Sequence, residues 1–476
     1  MGPNLSFLNF NTISPSVHIL YLRYLHPLAK YPGPFFWTVS RIPFALSLQS
    51  GHLVHDTKRF HDQYGTIVRL APNELSFIEP QAWYDIYGHR KKGHKEFMKN
   101  PIWTPPSPNG VHSLINAAEK DHPRMRKPLV PAFSSKALRD QEATVQIFKT
   151  PGDLGFGEPF NCLRDDKYHP WVSFLYGHLK DGALRASVRF YPWVSSLLFA
   201  FVPKSAYKAA HDHFAMSCEK LRRRMALKTN RRDFLSYILR ENSDKGMTIP
   251  ELEATSALLI VAGSESTSTM LTATTNYLVR SPWKLTKLTN EIRSTFSDES
   301  EITMGAVEHL PYLRAVLQEG MRMAPPVPSQ IPRIVPPEGD IVCGNSLPGN
   351  TFVGVPQFAA YRYAPFFVYP NEFLPERWLP DDSPLNNRSD EDPTFNSRSF
   401  SADTKNIVQP FSVGPRNCIG MNLAYAEMRL IFARLLYNFN LELPRKAEDE
   451  ETFKFENQKT FALWERQPCM VEIRKR

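Results

Sequence analysis

The chain has 476 residues, 42% of them hydrophobic, enough for a large buried core, and its formal charge of +9 comes without long basic blocks; nucleic-acid binding is a poor reading, and an acidic protein partner or an anionic membrane surface is the better counterpart of that charge. Its five cysteines, Cys162, Cys218, Cys343, Cys418 and Cys469, lie far apart, which argues against a disulfide framework and for a reducing compartment. No repeat, linker or long low-complexity run divides it, and the polar stretch 381–406 reads as a surface loop.

In chain order, the most apolar N-terminal stretch, Ser16 to Leu28, is interrupted by His18, Arg23, His26 and Pro27. It falls short of the ~18 apolar residues a membrane span requires and lacks the pattern of a signal peptide. Residues 1–29 are therefore set apart as a segment without a full span. Further on, "HPRMRKPLV" puts His122 and Arg126 at i and i+4 on one helical face, with Arg124 and Lys127 adding to a basic patch that suits an acidic electron donor. The helix holding "ALRDQEATVQIF" must stop at Pro151, because "PGDLGFGEP" has three glycines and two prolines in nine residues. Phe190 to Tyr207 is apolar, broken by proline and flanked by basic residues; it reads equally as a segment dipping into a membrane interface or as a buried helix.

A long helix is predicted from Thr248, where Thr248 and Glu251 form a capping box, to about Val279. At 1.5 Å per residue it spans ~45 Å. At its centre lies "AGSEST", Ala262 to Thr267. Small residues followed by an acid and a hydroxyl are poor helix formers and predict a local opening facing something flat; the plainer reading is an exposed Ser/Thr-rich turn. Glu319 and Arg322 share one face of a helix ended by Pro325 and Pro326. The same Glu-x-x-Arg spacing at Glu219 and Arg222 reads as a solvated pair. Arg333 follows in "IPRIV", then "PERW" from Pro375 to Trp378.

The segment "FSVGPRNCIG", Phe411 to Gly420, crowds glycine and proline before a cysteine and runs into the apolar helix "LAYAEMRLIFARLLYNF". A cysteine that opens a helix sits where unpaired N–H groups and the helix dipole favour a thiolate, the metal-ligating form. Gly414 and Gly420 permit tight turning and close approach to a flat cofactor, Phe411 can pack against the sulfur, and Arg416 can reach an anionic group.

This string matches the cysteine-loop signature Phe-x-x-Gly-x-Arg-x-Cys-x-Gly at every fixed position, and the chain from "HPLAKYPGP" to its C-terminus resembles the cytochrome P-450 superfamily of haem-thiolate monooxygenases. "DQEATVQ", "FGEPF", "HPWVS" and "NLAYAEMRLI" look most like fungal secondary-metabolite members, including terpenoid and trichothecene oxidases. The resemblance implies a mainly α fold with small β-sheets, one catalytic domain over residues 30–476, and haem b ligated by Cys418. It makes Glu265 and Ser266 the acid and alcohol of the oxygen-activation motif, with Thr267 adjoining. Arg416, Arg333, Arg126 and His122 become partners of the haem propionates, and Glu319, Arg322 and Arg377 a buried network that locks the cysteine loop. Substrate-pocket positions by analogy are Ile115, Leu258, Ala262, Val327 and Phe461.

The implied reaction hydroxylates an apolar terpenoid or polyketide intermediate with dioxygen and NADPH-derived electrons. Those arrive through a flavoprotein reductase, with cytochrome b5 as a second donor, at the cytosolic face of the endoplasmic reticulum. Three departures stand out. Ser266 and His122 occupy places where the family more often has threonine and tryptophan, and part of the central helix bundle is missing near 147–155. A haem-thiolate isomerase or dehydratase, or a degenerate or misspliced product without activity, are the alternative readings.

Overall fold

In a computed structural model the described residues are 14–90, 93–140, 142, 170–192, 194–200, 204–227, 234–242, 246–386, 400–444 and 454–476. The interruption expected near 147–155 lies outside them. The architecture is mainly helical with four small sheets. Helices used below are α1 (Pro170–Arg189), α2 (Lys204–Ala226), α3 (Ile249–Val279), α4 (Pro282–Thr295), α5 (Pro311–Met323) and α6 (Met421–Asn438).

The long helix α3 starts as its sequence dictates. The Thr248 hydroxyl accepts from the Glu251 N–H and the Glu251 carboxylate accepts from the Thr248 N–H, the reciprocal capping box. The opening expected at "AGSEST" does not occur. The helix is continuous, and its hydroxyls bond back to carbonyls one turn earlier: Ser264 to Ile260 (2.8 Å), Ser266 to Ala262 (2.6 Å) and Ser268 to Ser264 (2.6 Å). Leu252, Ile260, Met270, Ala273 and Leu278 of α3 enter one large core with Leu313, Val316 and Leu317 of α5 and Leu430, Phe432 and Leu436 of α6. This packing sets α3 across the helix that follows the cysteine loop.

The main sheet has five strands, β1 (Ile67–Ala71), β2 (Glu74–Phe77), β3 (Met98–Lys99), β4 (Arg333–Ile334) and β5 (Phe352–Gly354), in the order β1-β2-β5-β4-β3. Only β2 and β5 pair in parallel. The β3–β4 register sets Lys99 opposite Arg333. A short hairpin, β6 (Thr460–Phe461) and β7 (Leu463–Trp464), turns at Ala462 with φ +71°. The boundary expected at residue 30 falls inside packed structure. Leu28 is buried in the core beside Trp83 and Val353, and the Leu22 carbonyl accepts from Arg69 at 2.9 Å.

Candidate active site

Cys418 sits in the turn before α6. Its N–H donates to the Phe411 carbonyl (2.8 Å), and the turn pivots on Gly414. There φ is +76°, and a Cβ would lie 2.1 Å from the Tyr87 carbonyl oxygen, so only glycine fits. Gly420 differs: at φ −86° an added Cβ would meet nothing nearer than the Cys418 Sγ at 3.9 Å. Its bare Cα keeps the space beside the sulfur open. The Phe411 ring packs on Tyr425 with centroids 5.2 Å apart.

Cys418 is exposed as a residue, but its sulfur is recessed among protein atoms. Burial pushes its thiol above the ordinary range, against the Gly420 amide and the Arg126 charge, which pull it down. A metal bound at the sulfur would shift that balance, since a coordinating thiol is deprotonated outright.

The loop is anchored by charge buried without solvent. Arg322 clasps Glu319 with Nε to Oε2 at 2.8 Å and Nη2 to Oε1 at 2.7 Å, and Arg377 Nε reaches Glu319 Oε1 at 3.1 Å. Trp378 and the Leu374 N–H donate to the same carboxylate. Arg322 and Arg377 hold it far below the usual carboxylate range, at about 2, although burial alone pushes the other way. Arg322 also donates to the carbonyls of Tyr361, Pro370 and Glu372. Arg377 closes on Asp403, and the Tyr361 hydroxyl accepts from the Gln409 N–H two residues before Phe411. Asp403 and Phe400 are buried, which corrects the reading of 381–406 as surface loop: the charge on Arg377 draws this end of the stretch inward.

Cations converge beside the loop. Arg416 donates to the Ala117 carbonyl (2.9 Å) and to Glu96. Arg333 donates to the Phe97 carbonyl (3.0 Å) and more distantly to Glu96. Arg126 holds the Asn417 backbone and side-chain oxygens at 2.8 and 2.7 Å. Lys99, unforeseen in the sequence, joins them; burial first, then Arg333 and Arg416, push its ammonium well below its usual value. His122 is buried, and desolvation with the charges of Arg416 and Arg126 lowers it to about 4, so it is a neutral donor. Three basic side chains, Arg416, Arg333 and Lys99, thus share one carboxylate, Glu96, with Arg126 close by on Asn417, and Arg333 Nε is buried with no hydrogen-bond partner among the described residues. A dianionic group fits here, as the two propionates of a haem do. Arg124 takes no part. It is paired with both Glu251 oxygens at 2.7 and 2.9 Å.

Across α3, Glu265 is buried and its Oε2 accepts from Arg466 Nη2 at 2.9 Å. Thr267 points to α6, its hydroxyl 3.5 Å from Glu427 Oε2. Burial raises the Glu427 carboxyl to about 7. Ala262 is exposed in the middle of α3, with Ser266 one turn further on the same face. Of the pocket candidates, Ile115, Leu258, Ala262 and Val327 are at least partly exposed. Phe461 is a correction. Its ring is buried in a separate core with Trp37, Phe44 and Phe60, because an antiparallel hairpin this short turns alternate residues to opposite faces; Ala462 at the tip is the exposed one. Sequence gave no signal for Glu96, Lys99, Asp403, Glu427 or Arg466, whose partners all lie far away in the chain.

A family model described as cytochrome P-450 matches residues 147–468. The chain is 38% identical over 488 residues to the cytochrome P-450 monooxygenase astJ of Aspergillus oryzae, covering 96% of this chain and 94% of the relative. It is 40% identical over 489 residues to the monooxygenase atr2 of Stereocaulon alpinum (96% and 92%), and 36% identical over 490 residues to the versicolorin B desaturase of Dothistroma septosporum (95% and 90%). These aligned spans exceed the 476 residues of the chain, so the relatives carry positions without a counterpart here.

Proposed function

The chain belongs to the cytochrome P-450 family, and from that premise we propose that it hydroxylates an apolar secondary metabolite, a terpenoid or polyketide intermediate, with Cys418 as its haem ligand. Fungal secondary-metabolite monooxygenases are its relatives, and a haem with a cysteine thiolate is the family's cofactor. One observation carries the assignment of the ligand: an accessible cysteine, bonded by the Gly420 amide, in a loop pinned by the buried Glu319, Arg322 and Arg377.

When bound, haem supplies activation of dioxygen with two electrons, the thiolate favouring O–O cleavage. The chain's residues do the rest. Lys99, Arg126, Arg333, Arg416 and neutral His122 would hold the propionates. Ala262, the smallest side chain on the exposed face of α3, leaves room for a flat group. Ser266 holds a proton at its Oγ for delivery towards the cofactor, and Glu265 connects that hydroxyl to bulk protons. The apolar side chains Ile115, Leu258 and Val327 line the substrate side and exclude water.

Electrons come from NADPH through a flavoprotein reductase, with cytochrome b5 as a second donor. The catalytic domain is residues 30–476, with residues 22–28 packed against it. We place the protein on the cytosolic face of the endoplasmic reticulum, held peripherally. No described helix is long and apolar enough to cross a membrane, but Leu20, Tyr24, Leu25, Phe35, Phe36, Ile42 and Leu46 are exposed, an apolar surface of the kind that marks a membrane or protein contact. The test is turnover of the purified, haem-loaded chain with reductase, NADPH and ¹⁸O-labelled dioxygen: one labelled oxygen in the product supports hydroxylation. A product two hydrogens lighter and without label supports desaturation instead, the second reading that the desaturase relatives favour. Turnover without NADPH contradicts both.

A further inference from the structure

We propose that Arg466 is a positioning residue for proton delivery: it anchors the Glu265 carboxylate and ties its orientation to the hairpin β6–β7, whose tip faces the substrate side. The inference rests on the reading of Glu265 as the relay acid.

The pair is close and nearly dry. Arg466 Nη2 lies 2.9 Å from Glu265 Oε2, with the side chains 10% and 5% exposed. A carboxylate this buried is costly without a cation. Burial accordingly pushes the Glu265 carboxyl upward while Arg466 opposes it. The other charged and titratable groups packed on α3 are engaged elsewhere. His213 of α2 reaches the Ala257 carbonyl at 3.2 Å, Arg222 of α2 is taken by Glu253, and Glu427 of α6 faces Thr267.

Arg466 is held on a stiff base. On one side the Glu465 N–H donates to the Lys459 carbonyl (2.8 Å), and on the other the Gln467 N–H donates to Gln458 Oε1 (3.0 Å). Trp464, two residues before it, donates to the Pro325 carbonyl at 2.8 Å and packs against Phe358 and Phe455. At the far end of the same hairpin, the exposed Ala462 offers its carbonyl to the Ser329 hydroxyl at 3.4 Å, two residues from Val327. A substrate lodged against Val327 and Ala462 therefore bears on the element that carries the anchor of Glu265. Substrate fit and proton delivery are mechanically linked through one hairpin.

The test uses Arg466→Met, which keeps length and loses charge, Arg466→Lys, Glu265→Gln and the double variant Glu265→Gln/Arg466→Met, each haem-loaded. Product per NADPH consumed should fall about tenfold in Arg466→Met, short of the ~10²-fold that a 1 Å misplacement of a catalytic group can cost, with peroxide rising, and Arg466→Lys should recover most of it. Unfolding midpoints give a readout independent of turnover. Without Arg466 the Glu265 carboxyl titrates higher still, so Arg466→Met should lose stability relative to the parent as pH rises from about 5 to 8, where the carboxylate must ionise unpaired. In the Glu265→Gln background that pH-dependent loss should vanish. A deficit of the same size at every pH and in both backgrounds would show that Arg466 only packs, and overturns the proposal. If Glu265→Gln uncouples turnover while Arg466→Met does not, the inference fails and the relay stands; if Glu265→Gln leaves coupling unchanged, the relay itself fails.

Discussion

Arg322 grips both oxygens of Glu319 at 2.7 and 2.8 Å, with neither side chain exposed to solvent, and the same carboxylate accepts from Arg377 and Trp378. Every member of this cluster reaches backbone or charge on the segments that lead into the cysteine loop. Its value to the fold therefore depends on completeness.

Replacing Arg322 with alanine leaves Glu319 buried with Arg377 as its one remaining cation, beside the neutral donors Trp378 and the Leu374 N–H, at a cost of ~3–5 kcal/mol. The variant should express as haem-free or insoluble protein. Arg322→Lys should fare little better, since an ammonium cannot make the forked contact. Haem stoichiometry and urea midpoints of the two variants check this; a soluble, fully loaded Arg322→Ala contradicts it.

Two glycines of the loop should respond oppositely. Gly414→Ala places a Cβ 2.1 Å from the Tyr87 carbonyl oxygen at φ +76°, adding a left-handed penalty of about 1–2 kcal/mol to the clash, so haem retention should fall. Gly420→Ala, whose new Cβ meets only the Cys418 sulfur at 3.9 Å, should fold with a stability change within about 1 kcal/mol but alter the spectrum of the bound haem. Thermal midpoints and absorption spectra of both variants separate the two effects.

Glu427 supplies a pH signature. Burial raises its carboxyl from the ordinary 4.5 to about 7, with the Thr267 hydroxyl pulling slightly the other way. A group raised in the folded state contributes stability that is full below about 4.5 and lost as pH climbs through about 7. Glu427→Gln carries no such loss. Its stability relative to the parent should therefore grow between pH ~5 and ~8, by up to about 3 kcal/mol. Parallel stability curves for the two proteins would refute the assignment.

Ser266 bonds back to the Ala262 carbonyl at 2.6 Å, so its hydroxyl is fixed one turn from the exposed Ala262 of α3. Ser266→Ala should keep NADPH consumption but divert it to hydrogen peroxide, while Ser266→Thr should keep or improve coupling, because a β-branched side chain holds its rotamer more firmly. Product and peroxide per NADPH decide it. Unchanged coupling in the alanine variant removes Ser266 from the relay and leaves it as a small residue that lets α3 pass.

Where function was legible in sequence, the signal was local. The capping box at Thr248 and Glu251 fixed the start of α3, and proline after Met323 fixed the end of α5, because caps and prolines act within one turn. The cysteine loop could be read since Gly414 and Cys418 are four residues apart. The rest is long-range. Asp403 looks like solvated polar chain until Arg377 reaches it from 26 residues away. Glu265 finds its cation 201 residues on, and Arg416 finds Glu96 320 residues back. The opening misread into "AGSEST" has a physical reason too: serine hydroxyls that destabilise an isolated helix are absorbed here by its own carbonyls.

The central claim is that Cys418 ligates a haem, and the absorption spectrum of the purified chain, reduced and exposed to carbon monoxide, tests it most directly. The parent protein should show the red-shifted Soret band of a thiolate-ligated haem, and Cys418→Ser should lose it while Cys162, Cys218, Cys343 and Cys469 remain. A haem-free parent, or an unchanged band in Cys418→Ser, would contradict the account.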